Sequence, residues 1–124
     1  MARVMIVDDA TLARRIMRIT LSSAGHEVVC EAATGADAVR EYECHRPDIV
    51  MMDVTMPEMD GIEASRQILV QDPSARIVMV TSISSEEVVR ESYRAGVTAF
   101  LVKPFKSERL LNVVASVFTA SPAK

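Results

Sequence analysis

The pattern of this 124-residue chain predicts an α/β fold, a doubly wound parallel sheet with helices on both faces. Three observations carry the prediction. Four apolar runs, Val4–Val7, Ile49–Met52, Ile77–Val80 and Ala99–Val102, are each too short for a helix and continuous rather than alternating. Strands covered on both faces of a parallel sheet read that way. Segments with apolar residues at helical spacing lie between these runs and after the last. Finally, five strands of ~5 residues, five helices of ~11 and connections of ~4 add to roughly 120 residues, so the alternation uses the whole chain. Residues 1–124 are therefore read as one domain.

Each element has its own signature. Val4-Met5-Ile6-Val7 opens the sheet. Leu12, Ile16 and Ile19 recur at i, i+4, i+7 along Thr11–Ala24 and predict a first helix, with Gly25 as its stop. Glu27–Ala32 is more polar than the other strands and suits an edge. Thr34 precedes a helix carrying Ala38, Val39 and Tyr42, and Pro47 ends the connection to the third strand. Asp60-Gly61-Ile62-Glu63 is a cap followed by an acid at the third helical position, starting a helix that runs to about Gln71. Ser84-Ser85-Glu86-Glu87 offers a capping box for a fourth helix, closed by Gly96. Ser107 is the predicted cap of a fifth, with Leu110, Leu111, Val114, Val117 and Phe118 inward, and residues 119–124 read as a flexible tail. Met5, Met51, Met52 and Met79 fall inside strands and are read as core filler.

Composition narrows the function classes. Lys and Arg number 14 against 17 Asp and Glu, a net charge of −3, with 49% apolar and 25% charged residues. That is a globular balance without the basic face a nucleic-acid binder needs. No apolar run approaches the ~20 residues of a membrane span, and Met1 leads straight into a strand without a signal-peptide core. A cytoplasmic, monomeric protein is expected. Cys30 and Cys44 stand 14 apart and form no CxxC pair, so both are read as reduced thiols. His26 and His45 are equally isolated in the sequence, so zinc chemistry and a Ser-His-Asp triad lack parts.

The strand ends are more informative. In a doubly wound sheet, ligands bind beyond the carboxyl ends of the strands. The first strand ends in Asp8-Asp9, the third in Asp53, the fourth in Thr81 and the fifth in Lys103-Pro104. Any one acid after a strand is an ordinary cap, as Asp9 could be for the first helix. Polar residues at four matching strand ends imply one site. Two carboxylates ~4 Å apart repel by about 4 kcal/mol at an effective dielectric of ~20, equivalent to roughly three pH units of protonation. A divalent cation and the Lys103 ammonium would relieve that repulsion. An all-oxygen donor set favours Mg²⁺ over zinc, and Mg²⁺ so held recruits phosphate oxygens.

Val7-Asp8-Asp9-Ala10, Met52-Asp53-Val54-Thr55-Met56-Pro57-Glu58-Met59-Asp60-Gly61, Val80-Thr81-Ser82 and Val102-Lys103-Pro104-Phe105 together resemble the signature blocks of two-component receiver domains, in order, over about residues 3–118. The style of these blocks is most similar to stand-alone chemotaxis receivers. The resemblance implies a flavodoxin-like topology with strand order 2-1-3-4-5. It implies Asp53 as phosphoacceptor from a chemotaxis-type histidine kinase, and Mg²⁺ held by Asp8, Asp9, Asp53 and the backbone carbonyl of Thr55. Lys103 would pair with Asp53 at rest and with the phosphoryl group afterwards, aimed by a cis bond to Pro104. Thr81 would donate to a phosphoryl oxygen, and Phe100 would swing inward when Thr81 moves. The output face would comprise the fourth helix, fifth strand and fifth helix, docking a protein such as a flagellar or archaellar motor component or an adaptor. Thr55 and Ile83, each two residues beyond a site residue, border the path of the hydrolytic water in this family. Ile83 could hinder that water or help dock a phosphatase. On this reading the chain is a signalling phosphoacceptor, an enzyme only toward its own phosphorylation.

Other classes fit less well. A flavodoxin-type FMN protein needs a Ser/Thr/Gly-rich phosphate loop where Asp8-Asp9-Ala10-Thr11 stands. A P-loop NTPase needs GxxxxGK[ST]. A Mg²⁺-dependent phosphohydrolase of the haloacid dehalogenase type would put an acid at Thr55 and needs a cap that 124 residues do not supply. A phosphorelay shuttle, or a receiver that is part of a larger regulator, remains compatible with the same residues.

Overall fold

The structure, a computed structural model, describes residues 1–82 and 85–119. Ten elements alternate along the chain: β1 Arg3–Val7, α1 Thr11–Ser23, β2 Glu27–Ala32, α2 Gly35–His45, β3 Ile49–Met52, α3 Gly61–Gln71, β4 Ile77–Thr81, α4 Glu86–Ala95, β5 Ala99–Val102 and α5 Ser107–Thr119. The strands form one sheet in the order β2-β1-β3-β4-β5, and every pairing is parallel. The predicted fold class and strand order are both present.

Period-two alternation splits the apolar runs between two cores. Met5, Val7, Val50, Met52, Ile77 and Met79 pack with α2 and α3. Val4, Ile6, Ile49, Met51, Val78 and Val80 pack with α1 and α5. Each fully buried aliphatic side chain contributes about 1.5–3 kcal/mol, so both layers are needed to hold the sheet. The strand methionines are core, as expected: Met5, Met51, Met52 and Met79 are wholly buried. β2 lies at an edge, as its polarity suggested, but so does β5, with Val102 42% exposed. A continuous apolar run therefore did not require cover on both sides there.

The register between β1 and β2 slips by one between Val4 and Met5, so Val4 pairs with Val28 and Met5 with Cys30. The extra residue, Val29, lets Val29, Cys30 and Ala32 all join the α2 core, while Val28 joins the α1 side. Glu31 is then left to α1, where Arg14 Nε lies 3.0 Å from its Oε1. Bulges of this kind re-aim side chains.

Local detail refines these readings. In α1, Met17 and Leu21 are the buried residues, whereas Leu12, Ile16 and Ile19 are 68%, 52% and 59% exposed. The helix is where the spacing put it, but its apolar stripe faces out. α4 is capped by Ser85, whose side chain accepts from the Val88 amide; Ser84, the other half of the predicted box, lies outside the described residues. The first carbonyl of α5 is that of Lys106, which accepts from Leu110 at 3.2 Å, making Ser107 the first helical residue rather than the cap. α5 also includes Thr119, and the rest of the predicted tail, 120–124, lies outside the described residues. The caps of α2 and α3 agree with the sequence: Thr34 accepts from the Asp37 amide at 3.1 Å and Asp60 from the Glu63 amide at 2.9 Å. Among the described residues no helix is long and apolar enough to cross a membrane.

Candidate functional site

β1, β3, β4 and β5 run parallel, so the residues just beyond their last apolar positions share one edge of the sheet. The carboxylates of Asp8, Asp9 and Asp53 bring an oxygen each to within 4.8 Å of the others. Asp8 and Asp53 are buried and Asp9 is exposed, so the cluster opens to solvent on one side. Asp9 does not cap α1; the cap position is Ala10, which has no side-chain oxygen.

Backbone bonds set these side chains in place. The Asp53 amide donates to the Val7 carbonyl at 2.9 Å and the Asp8 amide to Ala32 at 3.1 Å, prolonging the ladder past the strands. Asp8 Oδ1 accepts from the Ala10 amide at 2.9 Å, turning the chain into α1. The Arg14 guanidinium donates to the Asp8 carbonyl at 2.6 Å and to Glu31, a brace that sequence reasoning missed. Past β3, the Gly61 amide donates to the Val54 carbonyl at 2.8 Å. A Cβ at Gly61 would lie 1.9 Å from the Asp53 carbonyl oxygen, so only glycine permits this closeness. The Asp-Gly pair read as a helix cap is thus also what lets α3 start directly against the Asp53 backbone.

Lys103 Nζ donates to Asp8 Oδ2 at 2.6 Å. This differs from the expected resting pair with Asp53. Asp8 is the more deeply buried acid and lies where the ammonium reaches, while Asp53 feels the lysine as a field. The Lys103–Pro104 peptide is cis, as the resemblance implied. Asp53 is pushed up from 3.8 to about 6, first by burial and next by the negative charge of Asp8, against the opposing pull of Lys103 and a backbone hydrogen bond from Thr55. Burial disfavours the charged carboxylate, and a second acid beside it adds repulsion.

Thr81 is buried at the end of β4, level with Val102, and its carbonyl accepts from the Lys103 amide at 2.9 Å. Phe100 sits half-buried opposite Met79 against the α2–α3 core. Ile83 lies outside the described residues. Beside the acids, Ile16 and Met17 of α1 and Lys103, Pro104 and Phe105 line an apolar cleft of about 410 Å³. A second cleft of about 420 Å³ follows β5 into α5, lined by Phe100, Val102, Phe105 and Arg109.

The donor set fits a hard divalent cation. Three carboxylates, two buried and one open to solvent, accumulate negative charge that a single lysine does not neutralise, and an all-oxygen set with solvent access is what Mg²⁺ prefers.

With that geometry, comparison with known proteins is decisive. The sequence profile of the response regulator receiver domain matches residues 4–115. The chain belongs to the receiver domain family. The receiver is 45% identical to the chemotaxis protein CheY of Bacillus subtilis over 90% of this chain and 93% of that protein. It is 42% identical to CheY of Thermotoga maritima over 93% of this chain and 96% of that protein. Among solved structures, the CheX–CheY–BeF₃–Mg²⁺ complex from Borrelia burgdorferi superposes with a TM-score of 0.92 at 35% identity, covering 95% of this receiver and 90% of that chain.

Proposed function

We propose that this receiver is the phosphoacceptor of a chemotaxis-type two-component system, carrying the phosphoryl group on Asp53 with Mg²⁺ as cofactor. The observation that bears most weight is the position of Asp53: buried, flanked by two further acids and next to a lysine-anchored Asp8. An Asp53 oxygen attacks the phosphorus of a phosphohistidine on the kinase. The P–N bond breaks, its electron pair stays on the imidazole, which leaves neutral with the proton its other ring nitrogen already carries, and an acyl phosphate remains. A carboxylate is a weak nucleophile, so alignment and charge neutralisation supply most of the acceleration.

Asp8, Asp9, Asp53 and the Thr55 carbonyl would hold the Mg²⁺, which when bound offsets carboxylate and phosphoryl charge. Lys103, already fixed by Asp8, provides a second cation at the site. The Thr81 hydroxyl donates to a phosphoryl oxygen, and Phe100 follows it inward, so one added charge biases a two-state element. The chain acts as a signalling phosphoacceptor that assists only its own phosphorylation and dephosphorylation. Similarity to CheY proteins over nearly their whole lengths supports a protein output such as a flagellar or archaellar motor component or an adaptor. The output face is α4, β5 and α5, where Tyr93 and Val102 are 48% and 42% exposed and Val102 lines the second cleft. The kinase approaches from the side of α1, where Leu12 and Ile16 are exposed and Ile16 lines the first cleft. A phosphatase that shortens the signal would be a further partner, and the cytoplasm is the expected compartment.

A titration of beryllofluoride with Mg²⁺, followed by amide NMR, tests the reading. It predicts shifts at Asp53, Thr81, Lys103 and Phe100 that extend over α4, β5 and α5 and vanish with EDTA. Shifts confined to the acids would refute the output face, and none at all would refute the phosphoacceptor.

A further inference from the structure

Beyond the acidic site, the fold assembles a second donor cluster that chain spacing conceals. Cys30, Glu41 and His45 bring one ligand atom each within 4.8 Å of the others, a thiol, a carboxylate and an imidazole. Cys30 reaches this place because the bulge in β2 turns it toward α2, together with Val29 and Ala32. Glu41 and His45 stand at i and i+4 on α2, on one side of the helix, with His45 Nδ1 3.6 Å from Glu41 Oε1. The C-terminal end of α2 is held firmly: the His45 carbonyl accepts from Arg3 Nη2 at 2.8 Å, and Arg46 Nη1 lies 3.5 Å from Asp72 Oδ2. Two ligands thus come from a pinned helix end and one from a buried strand position.

We propose that Cys30, Glu41 and His45 bind a borderline divalent cation of the zinc type, separate from the hard-cation site at Asp8, Asp9 and Asp53. Sulfur, nitrogen and oxygen together are a zinc donor set, and a thiolate disfavours Mg²⁺. Three protein ligands leave the fourth position to water, because the half-exposed Glu41 and His45 keep the cluster open to solvent. On binding, the Cys30 S–H bond breaks, its proton passes to solvent and the sulfur lone pair goes to the metal. Burial foremost, and then the Glu41 carboxylate, push the Cys30 thiol up to about 11. A cation must therefore displace the proton that Cys30 holds at neutral pH, which makes binding tighten as pH rises. Sequence reading treated these residues as isolated because Cys30 and His45 lie on different elements.

Cobalt titration of the whole chain tests this. A Cys44→Ser background silences the exposed thiol, excess Mg²⁺ fills the acidic cluster, and a phosphine reductant keeps Cys30 reduced. The proposal predicts a thiolate-to-cobalt charge-transfer band saturating at one equivalent and displaced by Zn²⁺. Cys30→Ser should abolish the band, and His45→Ala or Glu41→Gln should each weaken cobalt binding by at least about tenfold, the scale on which metal sites respond to loss of supporting groups. His45 and Glu41 are half-exposed, so those variants stay informative even if Cys30→Ser folds poorly. Absence of the band, a band that survives Cys30→Ser, or an affinity indifferent to His45→Ala would overturn the site.

Discussion

Asp53 is where function and stability oppose each other, and the conflict can be measured. Its carboxyl is raised from 3.8 to about 6 by burial and by Asp8. The unfolded chain releases this proton near the ordinary carboxylate value, so between those limits the folded state binds more proton than the unfolded one. Stability must therefore fall as pH rises through that window and level off above it. At about 1.4 kcal/mol per pH unit, the full cost of an ionised Asp53 is roughly 3 kcal/mol. Asp53→Asn keeps the shape and removes the charge. In EDTA at pH 8 the variant should be more stable than the wild type by up to about 3 kcal/mol, a rise in Tm of roughly 10 °C at this chain length. The gain should shrink as pH falls through 6 and vanish near 4. Mg²⁺ should narrow it at pH 8, because a cation bound to the native wild type stabilises it by mass action. Thermal melts of both proteins at pH 4, 6 and 8, with and without Mg²⁺, provide the assay. A variant no more stable at pH 8, or one whose advantage grows toward acid, would refute the electrostatic account of the site.

Further outcomes follow from individual contacts. Gly61→Ala forces a Cβ into the Asp53 carbonyl, where 1.9 Å separates the two positions. It should cost about 1–3 kcal/mol in denaturant melts and slow phosphorylation by small-molecule donors about a hundredfold, since a shift of ~1 Å at a reacting atom has that effect; unchanged kinetics would contradict the role given to the close approach. Ile16→Asp or Leu12→Asp on the exposed face of α1 should change stability by less than about 0.5 kcal/mol. Stopped-flow assays should show slower transfer from the kinase and an unchanged rate with acetyl phosphate. Tyr42 is buried and its hydroxyl donates to Asp72 Oδ2 at 2.6 Å, holding that carboxylate below its ordinary range. Tyr42→Phe should lose about 1.5–3 kcal/mol at neutral pH, the worth of a hydrogen bond to a charged group. A group with a lowered native value gives stability present above the unfolded value and lost in acid, so the deficit should fade as pH falls below about 4.

The parts of this fold legible in the sequence are those where one residue type has one physical use. Short β-branched runs, Gly25 and Gly96 as helix stops, and Thr34 and Asp60 as caps each appear where expected. So do Asp8, Asp9 and Asp53, because carboxyl ends of parallel strands converge on one edge. Partner choice within the site was less legible. Lys103 could have reached either buried acid, and only the packed geometry directs it to Asp8. The apolar spacing of Leu12, Ile16 and Ile19 is genuine helical periodicity, yet it marks an outward stripe, since periodicity records a face without saying what covers it. Gly61 gave no signal beyond an Asp-Gly cap, and its closeness to Asp53 is a tertiary fact. The Cys30–Glu41–His45 cluster was hidden for the same reason, with a bulge needed to turn Cys30 inward.

The central claim, that Asp53 accepts a phosphoryl group with Mg²⁺, is tested most directly by intact mass after brief incubation with acetyl phosphate. The account predicts a gain of one phosphoryl group in Mg²⁺, none in EDTA and none in Asp53→Asn. No adduct at any short time in Mg²⁺, or an adduct that persists in Asp53→Asn, would contradict it.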